Sequence, residues 1–160
     1  MITFKAKTPN GEIIKSALTP FNFPAGEAHT KREDRRDLEP TEIAILQADP
    51  FNLHDDLFQL AMWNDYALTQ KHQPQRVLVI PYFPGARADR GVPFGLGVYA
   101  QFIDRLGLDQ IILFDPHSPI TMHELAETNA VLTDVYSHQL LSTRSSKISH
   151  AKPVHWNYCT

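Results

Sequence analysis

Arg76-Val-Leu-Val-Ile-Pro-Tyr-Phe-Pro-Gly-Ala-Arg-Ala-Asp-Arg90 is the stretch that decides the fold of this chain. A β-branched run stops abruptly in a turn shaped by Pro84 and Gly85 that carries two arginines and an aspartate. A hydrophobic strand delivering a polar, Gly/Pro-shaped loop is how an α/β protein presents reactive groups to a ligand. The pattern recurs downstream, where Ile111-Ile-Leu-Phe114 runs into Asp115-Pro-His117-Ser118-Pro119, and upstream, where Ile43-Ala-Ile-Leu46 stops at Gln47-Ala-Asp-Pro50.

Between these strands the periodicity changes. Leu53, Leu57, Leu60, Ala61, Ala67 and Leu68 recur at helical spacing, predicting a long helix through His72. Phe58, Met62, Trp63 and Tyr66 occupy another side of it, more apolar circumference than a one-sided surface helix needs. Either that side meets a neighbouring subunit or the helix lies deep in the core. A second helix is marked by Val98, Tyr99, Phe102, Ile103 and Leu106, with Gly107 as its stop. Connections this long exclude hairpins, so the order β-α-β-α-β implies a parallel sheet with right-handed crossovers. The predicted fold class is α/β, a three-layer, mostly parallel sheet with flanking helices.

Ligands of open parallel sheets bind beyond the carboxyl ends of the strands. Three loops are expected there, residues 47–52, 81–90 and 115–119, which together hold Asp49, Arg87, Asp89, Arg90, Asp115 and His117. The remainder is less regular. Residues 1–30 read as short strands, Ile2–Phe4, Glu12–Ile14 and a bent segment through Phe21 and Phe23 that Pro20, Pro24 and Gly26 break into a loop holding Glu27. Lys31 to Asp37, four basic and three acidic residues, reads as a solvated connection. Met122–Glu127 reads as a short helix, Ala130–Tyr136 as one more strand, and His138–Leu141 as helical.

Composition narrows the class. The 160 residues suit one domain; with 42% hydrophobic and 21% charged residues they describe an ordinary globular protein. A net charge of −3 gives no basic field for nucleic acid, and no apolar run approaches the ~20 residues of a membrane span. The start lacks the build of a signal peptide, and one cysteine, Cys159, permits no internal disulfide; both fit a cytoplasmic protein. His123-Glu124 opens like a helical zinc-protease motif, but Glu127 stands where the second histidine belongs.

Arginine suits phosphate oxygens because its planar fork donates two parallel hydrogen bonds and stays charged. Arg87 and Arg90 therefore point to phosphate, unless one of them pairs with Asp89 as loop scaffolding. Asp115 and His117 are close enough to share one magnesium shell or its waters, and a histidine capping a loop would read the same. No Walker loop is present, so a nucleotide would be held by other means.

Taken together, Pro81-Tyr-Phe-Pro-Gly-Ala-Arg-Ala-Asp-Arg90, Phe23-Pro-Ala-Gly-Glu27, His54-Asp-Asp-Leu-Phe-Gln-Leu60, Asp115-Pro-His117 and Thr133-Asp-Val-Tyr-Ser137 resemble, in the same order, motifs of the ribose-phosphate pyrophosphokinases. The resemblance spans roughly residues 20 to 141. It implies a type I phosphoribosyltransferase-like fold and an enzyme, built from two similar domains, that transfers the β,γ-diphosphate of ATP to the 1-hydroxyl of ribose 5-phosphate with magnesium, in nucleotide biosynthesis. By that similarity Phe23, Gly26, Glu27, Arg87, Asp89 and Arg90 are expected at the ATP, and His117 with Asp115 at the magnesium. A homo-oligomer is also implied.

Departures accompany the likeness. Ala25 stands where the family has a base-reading aspartate and Ala88 where it has glutamine. The second half of such enzymes, with its catalytic loop and ribose-phosphate loop, has no counterpart here. Residues 1–141 are thus expected to form the ATP-binding amino-terminal domain and 142–160 the start of a linker or second domain, with the catalytic residues elsewhere and these 160 residues alone inactive. Two alternatives stand beside this: a diphosphokinase for a larger acceptor bearing ribose 5-phosphate, such as ADP-ribose, and a non-catalytic subunit kept for assembly.

Overall fold

The computed structural model describes residues 1–47, 53–126 and 128–138. In chain order they form β1 (Ile2–Lys7), β2 (Ile13–Lys15), β3 (Leu18–Asn22), β4 (Ala28–Arg32), β5 (Thr41–Leu46), α1 (Leu53–Thr69), β6 (Gln75–Ile80), α2 (Gly95–Asp104), β7 (Gln110–Phe114), α3 (Pro119–Ala126) and β8 (Val131–Val135). One sheet runs β2-β1-β5-β6-β7-β8, and β3 and β4 pair separately. The strands β5 to β8 are parallel, whereas β1 is antiparallel to β5 and to β2. This is the expected α/β class, a mostly parallel sheet with flanking helices.

Alternation along the strands shows where the core lies. The register aligns Ala44 with Leu78 and Leu78 with Ile111, and Ile80 with Leu113, so these residues share one face of the sheet. They join α1 (Leu57, Leu60, Trp63, Ala67), α2 (Leu96, Ala100, Ile103) and α3 (Leu125) in a single cluster. All three helices therefore pack on that face, as right-handed crossovers between successive neighbouring strands require. On the other face Ile43, Ile45, Val79 and Ile112 are only partly buried.

Local chemistry explains most boundaries. After α1 the chain turns at Gln73, which takes a positive φ of 40°, and Pro74 bars further helix, so α1 ends at Thr69 rather than reaching His72. Gly107, at φ 58°, stops α2 while its N–H donates to the Asp104 carbonyl at 2.9 Å. Below the sheet's amino edge Arg76 spreads its fork over the Asp109 carboxylate (3.1 Å), the Asn64 side chain (2.9 Å) and the Gly107 carbonyl (2.8 Å), tying β6 to α1 and to the start of β7.

Several expectations change. Pro20 does not break a strand; it lies inside β3 opposite Thr30, where a two-stranded ribbon leaves one edge free of ladder bonds. Lys31 and Arg32 belong to β4, and the charged run beyond them is bonded rather than merely solvated: Lys15 to Glu33 at 2.6 Å, Arg32 to the Tyr66 hydroxyl at 3.1 Å, and Arg36 to the Lys15 carbonyl at 3.0 Å. On α1, Trp63 is core, 0% exposed and stacked on Phe4 at 5.8 Å, while Phe58 faces outward at 54%. The readings placed on residues 48–52, Glu127 and 139–160, including Asp49 and the proposed linker, lie outside the described residues.

Candidate functional site

The carboxyl ends of β5, β6, β7 and β8 lie along one edge of the sheet because the four strands are parallel neighbours. The loop after β6 is built on buried apolar pegs. Phe83 is 3% exposed and Ala86 1%, and the Ala86 N–H donates to the Phe83 carbonyl at 3.2 Å. Gly85 takes φ 73°, and a Cβ there would sit 2.8 Å from the Tyr99 ring of α2. The loop then closes on the first turn of α2, where Leu96 N–H donates to the Ala88 carbonyl at 3.4 Å. Gly95 lies so close that its Cβ would meet Ala88 Cβ at 3.2 Å.

That packing leaves the polar groups outside. Arg87 and Arg90 are exposed and Asp89 half-buried, and neither arginine forms an ion pair with Asp89 among the described residues. The scaffolding alternative for these arginines is thus not what the loop adopts. Two exposed guanidinium forks on a braced loop, without an ion pair among the described residues, are suited to phosphate oxygens.

Asp115 follows β7 in a left-handed conformation, φ 40°, which aspartate tolerates better than most residues. Its N–H donates to the Val135 carbonyl at 3.0 Å, and its Oδ1 accepts the Ser137 N–H at 2.9 Å. One carboxylate oxygen is therefore committed to joining β7 to the end of β8. The adjoining His117 is exposed. Burial, followed by the Asp134 and Asp115 carboxylates, pushes the Tyr136 hydroxyl above its ordinary value. No three His, Cys, Asp or Glu side chains gather at metal-holding distance among the described residues.

Phe23, Gly26 and Glu27 sit elsewhere, in the turn of the β3–β4 hairpin. Gly26 N–H donates to the Phe23 carbonyl at 2.8 Å, Phe23 N–H to the Glu27 carbonyl at 2.9 Å, and Gly26 takes φ 90°. This is a type I turn with Pro24 leading and a glycine bulge closing it, so Gly26 shapes the backbone. The hairpin is pinned to the start of α1: Asn22 donates to Asp55 at 2.8 Å, and Gln59 donates to the Phe21 carbonyl at 3.0 Å. No hydrogen bond or ion pair joins the turn to the 81–90 or 115–119 loops among the described residues. Sequence reasoning missed Ser137 as a brace of Asp115, and missed Phe21 and His29 as neighbours of Phe23. A period-two pattern through Thr19, Phe21 and Phe23 was the available signal.

With that geometry in hand, comparison with known proteins is informative. No family model matches the chain. It is 27% identical over 125 residues to a ribose-phosphate pyrophosphokinase of Mesorhizobium japonicum, a match covering 71% of this chain and 40% of that protein. Its fold matches the crystal structure of phosphoribosylpyrophosphate synthetase from Mycobacterium smegmatis with a TM-score of 0.62 and 16% identity, over 83% of this chain and 44% of that one. The chain is similar in sequence and in fold to the ribose-phosphate pyrophosphokinases. It spans less than half the length of either of these two proteins. The fold is of the type I phosphoribosyltransferase-like kind, and among the described residues no helix is long and apolar enough to cross a membrane.

Proposed function

We propose that this chain is the nucleotide-binding part of a ribose-phosphate diphosphokinase, a transferase that moves the β,γ-diphosphate of ATP to the 1-hydroxyl of ribose 5-phosphate. The observation that carries this is the 81–90 loop: two exposed arginines with no ion pair among the described residues, on a turn locked against α2, at the carboxyl edge of a parallel sheet, in a chain resembling these enzymes. Arg87 and Arg90 hold the triphosphate, with Asp89 between them at the ATP; Phe23 and Glu27, on the turn that Gly26 shapes, meet the base. Asp115 and His117 suit magnesium in the way phosphate enzymes use it, one carboxylate oxygen plus an outer imidazole, with water and phosphate oxygens completing the shell. Bound there, the metal would neutralise charge on the transferring phosphates. Such an enzyme functions in the cytoplasm as a homo-oligomer.

The motifs of the second half of such enzymes are absent from these 160 residues, so the chain by itself binds ATP without turning it over. Calorimetry with Mg-ATP on the wild type and on Arg87→Ala tests the reading. Removing a charged hydrogen-bonding group of this kind costs about 1.5–3 kcal/mol, a loss of about tenfold or more in affinity. An unchanged affinity in Arg87→Ala would remove the loop from the site. Magnesium-dependent AMP formation from ATP and ribose 5-phosphate by the chain alone would overturn the inactivity.

A second reading, an assembly subunit without catalysis, is favoured by Ala25 and Ala88 and by Phe58, which stands 54% exposed on the outer side of α1. Absence of any Mg-ATP binding by the wild type would favour it. The third possibility, a larger acceptor such as ADP-ribose, is decided by comparing turnover of the two acceptors in a form that includes the second half.

A further inference from the structure

The β3–β4 hairpin has two dissimilar faces. On one, Thr30 donates to the Gln59 carbonyl at 3.0 Å and Arg32 to the Tyr66 hydroxyl, so that face is committed to α1. By register the opposite face carries Thr19, Phe21, His29 and Lys31, and it points away from α1. Phe21 and His29 are a direct cross-strand pair with ring centroids 5.3 Å apart at 87°. Phe23, where β3 enters the turn, lies 4.8 Å from Phe21 at 65° and 5.5 Å from His29 at 44°. Lys31 Nζ stands 5.2 Å from the Phe21 ring centre.

A hairpin face turned away from α1 gains little in the core from two phenyl rings and an imidazole. What the cluster does provide is a fixed ring. Phe21 and His29 buttress Phe23 in tilted and edge contacts, which suit aromatic quadrupoles, yet Phe23 stays 44% exposed. A ring held by its neighbours and open to solvent binds a flat partner without having to be ordered first. The cation over the neighbouring Phe21 ring, on the same face of the hairpin, favours a partner that is also anionic.

We propose that His29 is a positioning residue which, with Phe21, holds Phe23 as a stacking platform for the base of a nucleotide, Lys31 supplying a favourable charge for its anionic part. This rests on the nucleotide-binding reading given above and adds His29, Phe21 and Lys31 to it.

Two ligands separate base from phosphate contacts: Mg-ATP, and inorganic tripolyphosphate, which has no base. Calorimetry on the 160-residue chain compares the wild type with His29→Ala, His29→Phe and Phe23→Ala. Base stacking on an aromatic side chain is worth about tenfold or more in affinity, so loosening the platform is expected to weaken ATP about five- to tenfold. In His29→Ala tripolyphosphate affinity stays unchanged, and His29→Phe, which keeps a flat ring, restores ATP affinity. In the wild type, ATP but not tripolyphosphate shifts the ring-proton resonances of Phe23 and His29. If the wild type binds ATP and His29→Ala binds it equally well, the positioning role fails while the nucleotide reading survives. Equal loss of both ligands in His29→Ala marks a general structural effect and also overturns the proposal. A wild type that binds no ATP removes both readings together.

Discussion

Replacing Gly85 by alanine tests whether the 81–90 loop is held in shape by its contact with α2. Two penalties apply and they are separable. Gly85 lies at φ 73°, where an L-residue loses roughly 1–2 kcal/mol relative to glycine. In addition, the new Cβ would stand 2.8 Å from Tyr99 Cδ2, 3.2 Å from its Cε2 and 3.3 Å from the Gly95 carbonyl carbon. The ring can swing, but the backbone atom cannot yield cheaply, and overpacking of this kind costs about 1–3 kcal/mol. The sum, about 2–5 kcal/mol, corresponds to a fall in melting temperature of about 4–20 °C for a domain of this size.

Gly11 provides the control. It lies at φ 86° with nothing within 4 Å of its would-be Cβ, so Gly11→Ala carries the backbone penalty alone. Thermal melts followed by circular dichroism should place Gly85→Ala clearly below Gly11→Ala, and adding Tyr99→Leu to Gly85→Ala should recover part of the gap. Equal melting temperatures for the two glycine variants would refute the claim that Tyr99 and Gly95 fix the loop carrying Arg87.

Arg76→Lys should lose most of what Arg76→Ala loses, about 2–3 kcal/mol by urea denaturation, since one ammonium cannot reach Asp109, Asn64 and the Gly107 carbonyl together; a silent lysine variant would show that the fork is dispensable. Glu42 is 0% exposed, and burial raises its carboxyl above the ordinary value of 4.5 against hydrogen bonds from Ser16 at 2.6 Å and the Glu39 N–H at 3.1 Å. The folded chain thus holds this proton more tightly than the unfolded one, so the associated stability is present in full below pH 4.5 and is lost as pH rises through the raised value. Glu42→Gln, which cannot ionise, should therefore gain on the wild type as pH is raised in parallel urea titrations, and a pH-independent difference would contradict this. Asp115→Asn keeps an oxygen acceptor for Ser137 N–H and tolerates the left-handed backbone, so its melting temperature should match the wild type while magnesium-dependent ATP affinity falls; a drop in stability with unchanged affinity would make Asp115 a brace only.

What the sequence made legible follows from burial. The strands β5, β6 and β7 are short apolar runs flanked by strong helical periodicity, and a parallel sheet under helices leaves few other ways to bury them. β4 was hidden because Ala28-His-Thr-Lys-Arg32 has no apolar alternation; what holds it is cross-strand pairing with β3 and side-chain bonds to α1, including partners 29 and 34 residues away in sequence. The side of α1 holding Phe58 and Trp63 was left open between core and surface because a helix this apolar has no single stripe to anchor the count; the structure divides it, Trp63 inward and Phe58 outward. The arginines and the Asp115–His117 pair were legible as loop chemistry after strands, but the commitment of one Asp115 oxygen to Ser137 depends on β8 lying beside β7, which no local pattern records.

The first two turns of α1 explain how the separate parts share a frame. Asp56 and Gln59 are polar yet 2% and 4% exposed, a cost that hydrogen bonds offset, joined for Asp56 Oδ2 by an ion pair with the Met1 amino group at 2.9 Å. Asp56 Oδ1 accepts the Ile2 N–H at 2.8 Å and so fixes the start of β1 beside the carboxyl end of β5, with which Ile2 pairs through Leu46. Gln59 donates to both the Phe21 carbonyl and the Asn22 side chain, and Asn22 in turn donates to Asp55. The same helix end thus holds one strand of the main sheet at its carboxyl edge and the hairpin just before its aromatic turn. Since α1 is also packed through Trp63 and Leu60 into the core, the turn carrying Phe23 and Glu27 cannot drift relative to the sheet without exposing these buried amides and carboxylates. The placement of the hairpin tip is therefore a property of the folded core, and the nucleotide contacts proposed for it would start from a pre-ordered position.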